Sequence, residues 1–510
     1  GEVTQPARPR TGAPRGATLS GPHLRIIGTN DFHGALEPRP DNTGHLRGGA
    51  AAVAGAIEAA ERECAPPNCY SILLDGGDEF QGTPESNLAF GRPVTAVFNR
   101  LNLAASALGN HEFDWGVDTL RARIAQARYA ILGANVRTTD GKPLPWLRAD
   151  TIVERGPYRI GVIGLATVST PTTTKASNTV GLRFEQPAPI VDSLAANLRA
   201  HGADFVVVIA HAGAFCGRGE SATCDGEIIT LAQQVTQKID AIVSGHTHSL
   251  VNTVVRGIPI VQAQSSGQAI DVVDLPYDAT PHEPLPPAVH QVRPVYTDSI
   301  APDTAIARMV REASASIAPI VNRPVATIAE DMIRQGREYP LGDLIADAMR
   351  VEGKGDFGIM NNGGIRANLR AGQATYGSLF EVQPFGNLLY RVTARGADFR
   401  AYFEQLVARG APNVHISGIV ITYDPAREAG HRITSLLPTD GRAFSDTATY
   451  SIVMNDFMAT GGDGLGFAHA AISSQPLDIV DLDALIAYLS AQPQPVHAPR
   501  GLRFVQEGAQ

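Results

Sequence analysis

Short apolar runs recur through the first half of the chain, at Leu24–Gly28, Ser71–Leu74, Tyr129–Leu132, Ile160–Gly164, Phe205–Ala210 and Ala241–Ser244. Successive residues in them are apolar, as in strands covered on both faces. Between several of them lie Ala/Arg-rich stretches with helical spacing, Ala50–Arg62, Val117–Arg128 and Pro189–His201. Strands alternating with helices predict an α/β layered domain. From Tyr277 to about Val295 the chain becomes Pro-rich and loses periodicity, the pattern of a domain boundary. Thr304–Ile317 then reads as a helix with Asp303 as its N-cap. Further signals predict a second domain beginning near Asn322. They are strands at Val325–Ala329, Phe357–Met360, Leu388–Val392, Val414–Tyr423 and Ala448–Val453, and helices at Leu341–Val351, Gly396–Arg409 and Leu482–Ala491. The expected division is a flexible tail over 1–22, a first domain over 23–295, a linker helix over 296–320 and a second domain over 321–506.

A chain of 510 residues is too long for one ordinary core, which agrees with two domains. Its net charge of −9 is spread along the chain. That argues against a nucleic-acid polymer or an anionic membrane as partner, and leaves room for a small anionic substrate. No apolar run reaches transmembrane length. Gly1–Gly21 is rich in Pro, Gly, Arg and Thr and lacks an apolar core, as expected of a tail left after signal-peptide removal. The four cysteines form two close pairs, Cys64 with Cys69 and Cys216 with Cys224. The two local disulfides are favoured among three connectivities, with four free thiols as the alternative; neither pair has the two-residue gap of a zinc ribbon. Disulfides would mean an oxidising compartment, periplasmic or extracellular.

Five polar clusters, most of them ending an apolar run, carry the candidate chemistry. They are Asp31-Phe32-His33, Gly77-Asp78, Gly109-Asn110-His111-Glu112, His211, and Gly245-His246-Thr247-His248. They supply oxygen and imidazole ligands only. Asp31 and His33 alternate along an extended chain and so share a side, as do His246 and His248. Asp78 could bridge two cations, one on each oxygen, and Asn110 could add a neutral amide oxygen. Taken singly, each has a plainer explanation as a turn, a helix cap or a satisfied core histidine. Jointly they would suit two metal ions at the carboxyl edge of a sheet, a recurrent device for phosphoryl-ester hydrolysis. Mixed oxygen and nitrogen ligation suits zinc, manganese or iron.

The order of these motifs resembles the calcineurin-like metallophosphatases. Thr29-Asn30-Asp31-Phe32-His33-Gly34, Asp75-Gly76-Gly77-Asp78 and Gly109-Asn110-His111-Glu112-Phe113-Asp114 are similar to the 5′-nucleotidase family in particular, and the resemblance runs from residue 24 to about 505. It implies a four-layer α/β/β/α metallophosphatase domain followed by an α+β nucleotide-binding domain. It implies one divalent metal on Asp31, His33, Asp78 and His248, and another on Asp78, Asn110, His211 and His246. His111 would stabilise charge on the phosphoryl group, Asp114 would orient it, and a water on the metals would be the nucleophile. In the second domain, Asn361-Asn362-Gly363-Gly364-Ile365-Arg366, Gln383-Pro384-Phe385-Gly386-Asn387 and Asn455-Asp456-Phe457 through Gly461-Gly462-Asp463-Gly464 resemble the family's substrate domain. By that resemblance Phe385 and Phe457 would sandwich the base, Asp463 would bind the ribose, and Asn361, Arg366 and Arg370 would complete the site. One departure concerns the phosphate clamp. Some relatives carry an Arg just before the segment matching Gly342-Asp343-Leu344; Pro340 offers none here, although Arg334 and Arg337 are near.

The implied activity is release of phosphate from nucleoside 5′-monophosphates, extending to di- or triphosphates and UDP-sugars, by a monomer or homodimer. Its rivals are a 2′,3′-cyclic-nucleotide phosphodiesterase with 3′-nucleotidase activity, a thiosulfate-ester hydrolase, and a catalytically dead nucleotide-binding protein. The dead-protein rival would normally have lost a ligand, and every expected ligand is present.

Overall fold

The structure is a computed structural model that describes residues 19–217, 223–278, 280, 285–467 and 471–508. The expected tail at 1–22 lies mostly outside them.

The strand His23–Thr29 sets the plan of the first domain. Ile26 packs inward against a second sheet, whereas its neighbour Ile27 packs outward under helices. Alternation of a pleated strand therefore buries both faces, and the continuous apolar run follows. Among the described residues six strands form the first sheet, in the order Val289–Pro294, Ala269–Pro276, His23–Thr29, Cys69–Asp75, Ala105–Ala107 and Ala130–Leu132. The last four run parallel, and the first two add antiparallel. A second sheet is ordered Leu250–Val255, Ile258–Ala263, Ala241–Ser244, Phe205–His211, Tyr158–Ala166 and Asp150–Arg155. One core lies between the sheets. Ala50–Arg62, Arg92–Arg100 and Gly116–Gln126 cover the outside of the first sheet, and Ala188–Ala200 and Glu227–Gln234 cover the outside of the second. The domain is the expected α/β/β/α stack.

The Pro-rich stretch before Val295 differs from expectation at its end, where Val289–Pro294 is an edge strand. Edge strands are half covered, so they lack the apolar run that marks central ones. The helix predicted from Thr304 runs to Val321, and the Asp303 carboxylate accepts from the Ile306 amide at 2.9 Å, as expected of an N-cap. Ile306 and Val310 sink into the first domain's outer core. No helix among the described residues is long and apolar enough to cross a membrane. Both local disulfides, Cys64–Cys69 and Cys216–Cys224, are formed.

In the second domain a mixed sheet is ordered Val414–Ser417, Phe357–Asn361, Thr449–Asn455, Leu388–Arg395 and Ser473–Val480. Pro340–Glu352 and Asp481–Ala491 pack on one face and Gly396–Val407 on the other. The run Val414–Tyr423 is not one strand. Gly418, at φ 85°, turns the chain so that Ile419–Tyr423 joins a separate sheet with Ile433–Pro438 and Phe504–Gln506. A β-carbon there would strike the Asp356 carbonyl.

Asp481, at the start of the last helix, is buried. Burial, with the nearby Asp456 charge adding to it, pushes its carboxyl from 3.8 up to about 8. The folded state therefore favours the protonated form. Its contribution to stability is complete below the ordinary value and is lost as pH rises through about 8. Asp481→Asn keeps an acceptor for the Leu482 amide and removes this titration. The thermal-unfolding advantage of the variant over wild type should grow from pH 4 to pH 8 and then level; a difference independent of pH would refute the assignment.

Candidate active site

The seven ligand candidates converge because each follows a parallel strand whose carboxyl end points to one edge. Asp31 and His33 follow His23–Thr29, Asp78 follows Cys69–Asp75, and Asn110 follows Ala105–Ala107. His211 ends its strand, and His246 and His248 follow Ala241–Ser244. All but His246 and His248 are almost fully buried. Five of them, Asp31, His33, Asp78, His246 and His248, have backbone φ between 48° and 84°. Non-glycine residues pay about 1–2 kcal/mol for that region, so such clustering marks a place where side-chain direction matters more than backbone ease. The neighbouring glycines answer to the same crowding: a β-carbon on Gly109 would collide with the Asp78 carboxylate.

The ligand atoms face one another. His33 Nε2 lies 3.0 Å from His248 Nε2, and His211 Nε2 lies 3.0 Å from both Asn110 Oδ1 and Asp78 Oδ2. His248 Nε2 is 3.3 Å from Asp31 Oδ1, and His246 Nδ1 is 3.1 Å from Asn110 Oδ1. The Nδ1 atoms of His33 and His211 donate to the carbonyls of Gln81 and Gly76, both at 2.8 Å. With Nδ1 so committed, each ring turns its Nε2 toward neighbouring ligand atoms, an arrangement suited to a shared cation. Asp31, His33 and His248 form one group with ligand atoms within 4.8 Å, and Asp31, Asp78 and His211 form a second. The donor set therefore fits divalent metal ions. In the bare chain protons take up part of this role. Burial opposes a charge on His211, but Asp78 outweighs it and raises the imidazole to about 10. Burial, then the neighbouring His211, lowers His246 to about 3.

Behind the ligands stands Glu112, which the sequence reading quoted without a role. Its Oε2 accepts from the amides of Asp78 at 2.9 Å and Gly109 at 2.7 Å, and its Oε1 accepts from Glu79 at 2.8 Å. One carboxylate thus ties the loop of Asp78 to that of Asn110.

His111 Nδ1 lies 2.8 Å from Asp114 Oδ2, and Asp114 Oδ1 accepts from Thr174 Oγ1 at 2.7 Å. Burial works against a charged His111, but Asp114 and then Asp78 overcome it and the imidazole is shifted upward. The Phe385 ring stacks on His111, 5.2 Å between centroids. A cavity of about 390 Å³ joins Asp78, Asn110 and His111 to Asn361, Arg366, Phe385, Phe457 and Asp463 of the second domain. Asn361 Nδ2 donates to Asp463 at 3.1 Å and fixes its direction. Arg366 reaches across the domains, its Nη2 3.2 Å from His33 Nε2. Arg370 lies outside this cavity, held by Asp331 at 3.0 Å and the Asp41 carbonyl at 2.7 Å. Lys175 and Phe215 also line the cavity, and no spacing in the sequence singled them out.

Paired sheets carrying a nest of carboxylate, amide and imidazole ligands at their carboxyl edge define a metallophosphoesterase. Residues 24–250 match the family model described as calcineurin-like phosphoesterase, and 324–471 match the model 5′-nucleotidase, C-terminal domain. The chain belongs to the 5′-nucleotidase family, which joins these two domains. It is 30% identical to endonuclease YhcR of Bacillus subtilis over 93% of this chain, while spanning only 40% of that protein's length. It is 26% identical to a snake venom 5′-nucleotidase of Naja atra, over 95% of this chain and 99% of the relative. The crystal structure of a 5′-nucleotidase precursor from Thermus thermophilus superposes with TM-score 0.82 at 25% identity, covering 96% of this chain and 100% of that one.

Glu112→Ala leaves three buried amides without an acceptor. It should lower metal retention about 10–100-fold, read by elemental analysis after dialysis against graded chelator. Unchanged retention in a folded variant would show that Glu112 does not hold the ligand loops.

Proposed function

We propose that this protein is a periplasmic or extracellular metal-dependent 5′-nucleotidase that releases phosphate from nucleoside 5′-monophosphates. The observation that carries this reading is the continuity of one cavity. Its walls combine Asp78, Asn110, His246 and His248 of the ligand nest and His111 with two half-buried phenylalanines and a directed carboxylate. The two disulfides support an oxidising compartment.

In this reading Asp31, His33, Asp78 and His248 hold one divalent ion, and Asp78, Asn110, His211 and His246 hold the other. When bound, the ions supply Lewis acidity, neutralising phosphoryl oxygens and acidifying water. The remaining work belongs to the chain. His111, kept charged by Asp114, uses its free Nε2 to donate to phosphoryl oxygen as negative charge builds there. Arg366 offers a planar fork to the same group. Phe385 and Phe457 take the base between them, each stacking contact contributing about 1–3 kcal/mol with little preference among bases. Asp463 accepts from the ribose hydroxyls, and its Asn361 contact makes that preference rigid.

A panel of 5′-AMP, 3′-AMP, 2′,3′-cyclic AMP, UDP-glucose and single-stranded DNA, assayed with Mn²⁺ or Zn²⁺ and again after chelation, tests the assignment. The DNA is included because the Bacillus subtilis relative is named an endonuclease. 5′-AMP should have the highest kcat/KM and lose it on chelation; preference for the 3′, cyclic or polymeric substrate would overturn the reading. His111→Asn should lower kcat about 10²–10³-fold, equivalent to about 3–4 kcal/mol of transition-state stabilisation, with both metals retained. Loss of metal in that variant would instead make His111 a ligand or a support.

A further inference from the structure

The loop 361–366, which presents Asn361 and Arg366 to the shared cavity, is braced from behind by a histidine that the proposed chemistry leaves unused. His415 lies on the strand Val414–Ser417, opposite Met360, and is fully buried. Its Nε2 stands 2.5 Å from Asn362 Oδ1. The Asn362 amide nitrogen donates to the Arg337 carbonyl at 2.7 Å and to Asn413 Oδ1 at 2.6 Å. The Asn362 oxygen is left to accept, so His415 donates from Nε2. On the other side of the ring Nδ1 faces Asp343 Oδ1 at 3.5 Å, and neither atom has a hydrogen-bond partner among the described residues. Tyr339 packs edge-on against the imidazole, 4.4 Å between centroids, and a β-carbon on Gly342 would lie 2.1 Å from it. The first turn of helix Pro340–Glu352 thus leaves the ring no room to rotate. Burial lowers the imidazole to about 4, with Glu338 opposing and Arg503 adding to the effect. At neutral pH the ring therefore holds one proton, and the Asn362 contact fixes which nitrogen carries it.

From Asn362 the brace reaches the cavity. The Asn362 carbonyl accepts from the Ile365 amide at 3.1 Å, closing the turn that leads into Arg366. One residue earlier, Asn361 donates to Asp463 at 3.1 Å and accepts from Asn455 at 3.0 Å. Asn455 in turn caps the short helix that carries Phe457, accepting from the Met458 amide at 2.8 Å. We propose that His415 is a positioning residue: by donating to Asn362 it holds the turn Asn362–Gly364, and through it the directions of Asn361, Asp463 and Arg366 in the cavity. It touches no substrate itself. The kinetic consequence rests on the nucleotidase reading, whereas the brace does not.

Three substitutions separate the two contacts of the ring. In His415→Gln the amide nitrogen reaches about as far as Nε2 and can still donate to Asn362. In His415→Asn it reaches only as far as Nδ1, and His415→Leu keeps bulk without a donor. Hydrogen exchange of the full chain, with chelator present, reads the brace directly. In the Leu and Asn variants the Ile365 and Arg366 amides should exchange about tenfold faster, the scale set by one buried hydrogen bond. His415→Gln should restore wild-type protection, and the strands Thr449–Asn455 and Leu388–Arg395 should stay protected in all three. Acceleration spread evenly through the domain, or none at the turn, would overturn the proposal. His415→Asn, the smaller change, keeps the test open if His415→Leu fails to fold. With AMP and the metal-loaded enzyme, the same two variants should raise KM about tenfold and alter kcat much less, with His415→Gln restoring KM. An unchanged KM in a variant whose turn is loosened would refute the positioning role. If AMP proves not to be hydrolysed at all, the nucleotidase reading fails and the exchange pattern still decides the brace.

Discussion

Imidazole, amide and carboxylate atoms crowded against one another are the constraint on which this structure turns. His33 against His248, and His211 against Asp78 and Asn110, stand at hydrogen-bond distance. Such a nest is unfavourable by itself, and only a rigid surround keeps it assembled. The two sheets provide the surround, because strands buried on both faces cannot slide without exposing apolar surface or breaking ladder hydrogen bonds. Left-handed backbone at five of the ligands is a second cost met by the same scaffold. Glu112 fastens the two loops that would otherwise part under repulsion.

The second domain completes what the first cannot. The candidate ligands lie on the first domain, and Asn361, Arg366, Phe385, Phe457 and Asp463 of the second line the same cavity. Phe385 stacked on His111 and Arg366 against His33 bring the two sets of side chains into contact. Further ties, Asn87 to the Pro384 carbonyl at 3.2 Å and Lys175 to Asp456 at 3.8 Å, join the domains beside the cleft. Arg39 to Glu381 at 3.2 Å and Arg370 to the Asp41 carbonyl at 2.7 Å add to them, so the contacts between the domains are largely polar.

Much of this was legible in the chain, for physical reasons that differ by element. Central strands such as Phe205–His211 announce themselves because both faces are buried; edge strands such as Asp150–Arg155 and Val289–Pro294 do not, since their residues are only partly covered. The Val414–Tyr423 run carries β-type residues on both sides of Gly418, whose conformation divides it between two sheets. The convergence of the candidate ligands was legible because they follow apolar runs in short polar clusters. The direction of Arg370 was not, because the Asp331 and Asp41 contacts that turn it away come from 39 and 329 residues distant. Glu112 sat inside a quoted motif, yet its work is with backbone amides, which carry no residue-specific signal. Lys175 and Phe215 reach the cleft through tertiary contacts alone.

The helix Thr304–Val321 has a consequence for how the two domains can diverge. Its early residues Ile306 and Val310 are rooted in the first domain, and its far end leads directly into the second through Pro324–Ile328. It is therefore a spacer of fixed phase as well as length. Inserting or deleting one residue within it would turn everything downstream by about 100° and shift it by about 1.5 Å, swinging Phe385 and Arg366 away from His111 and His33. Changes in multiples of a whole turn preserve the facing but alter the reach by about 5.4 Å. A change of length in this helix is thus far more disruptive than one in a surface loop, and the helix acts as the ruler that holds the two halves in one frame.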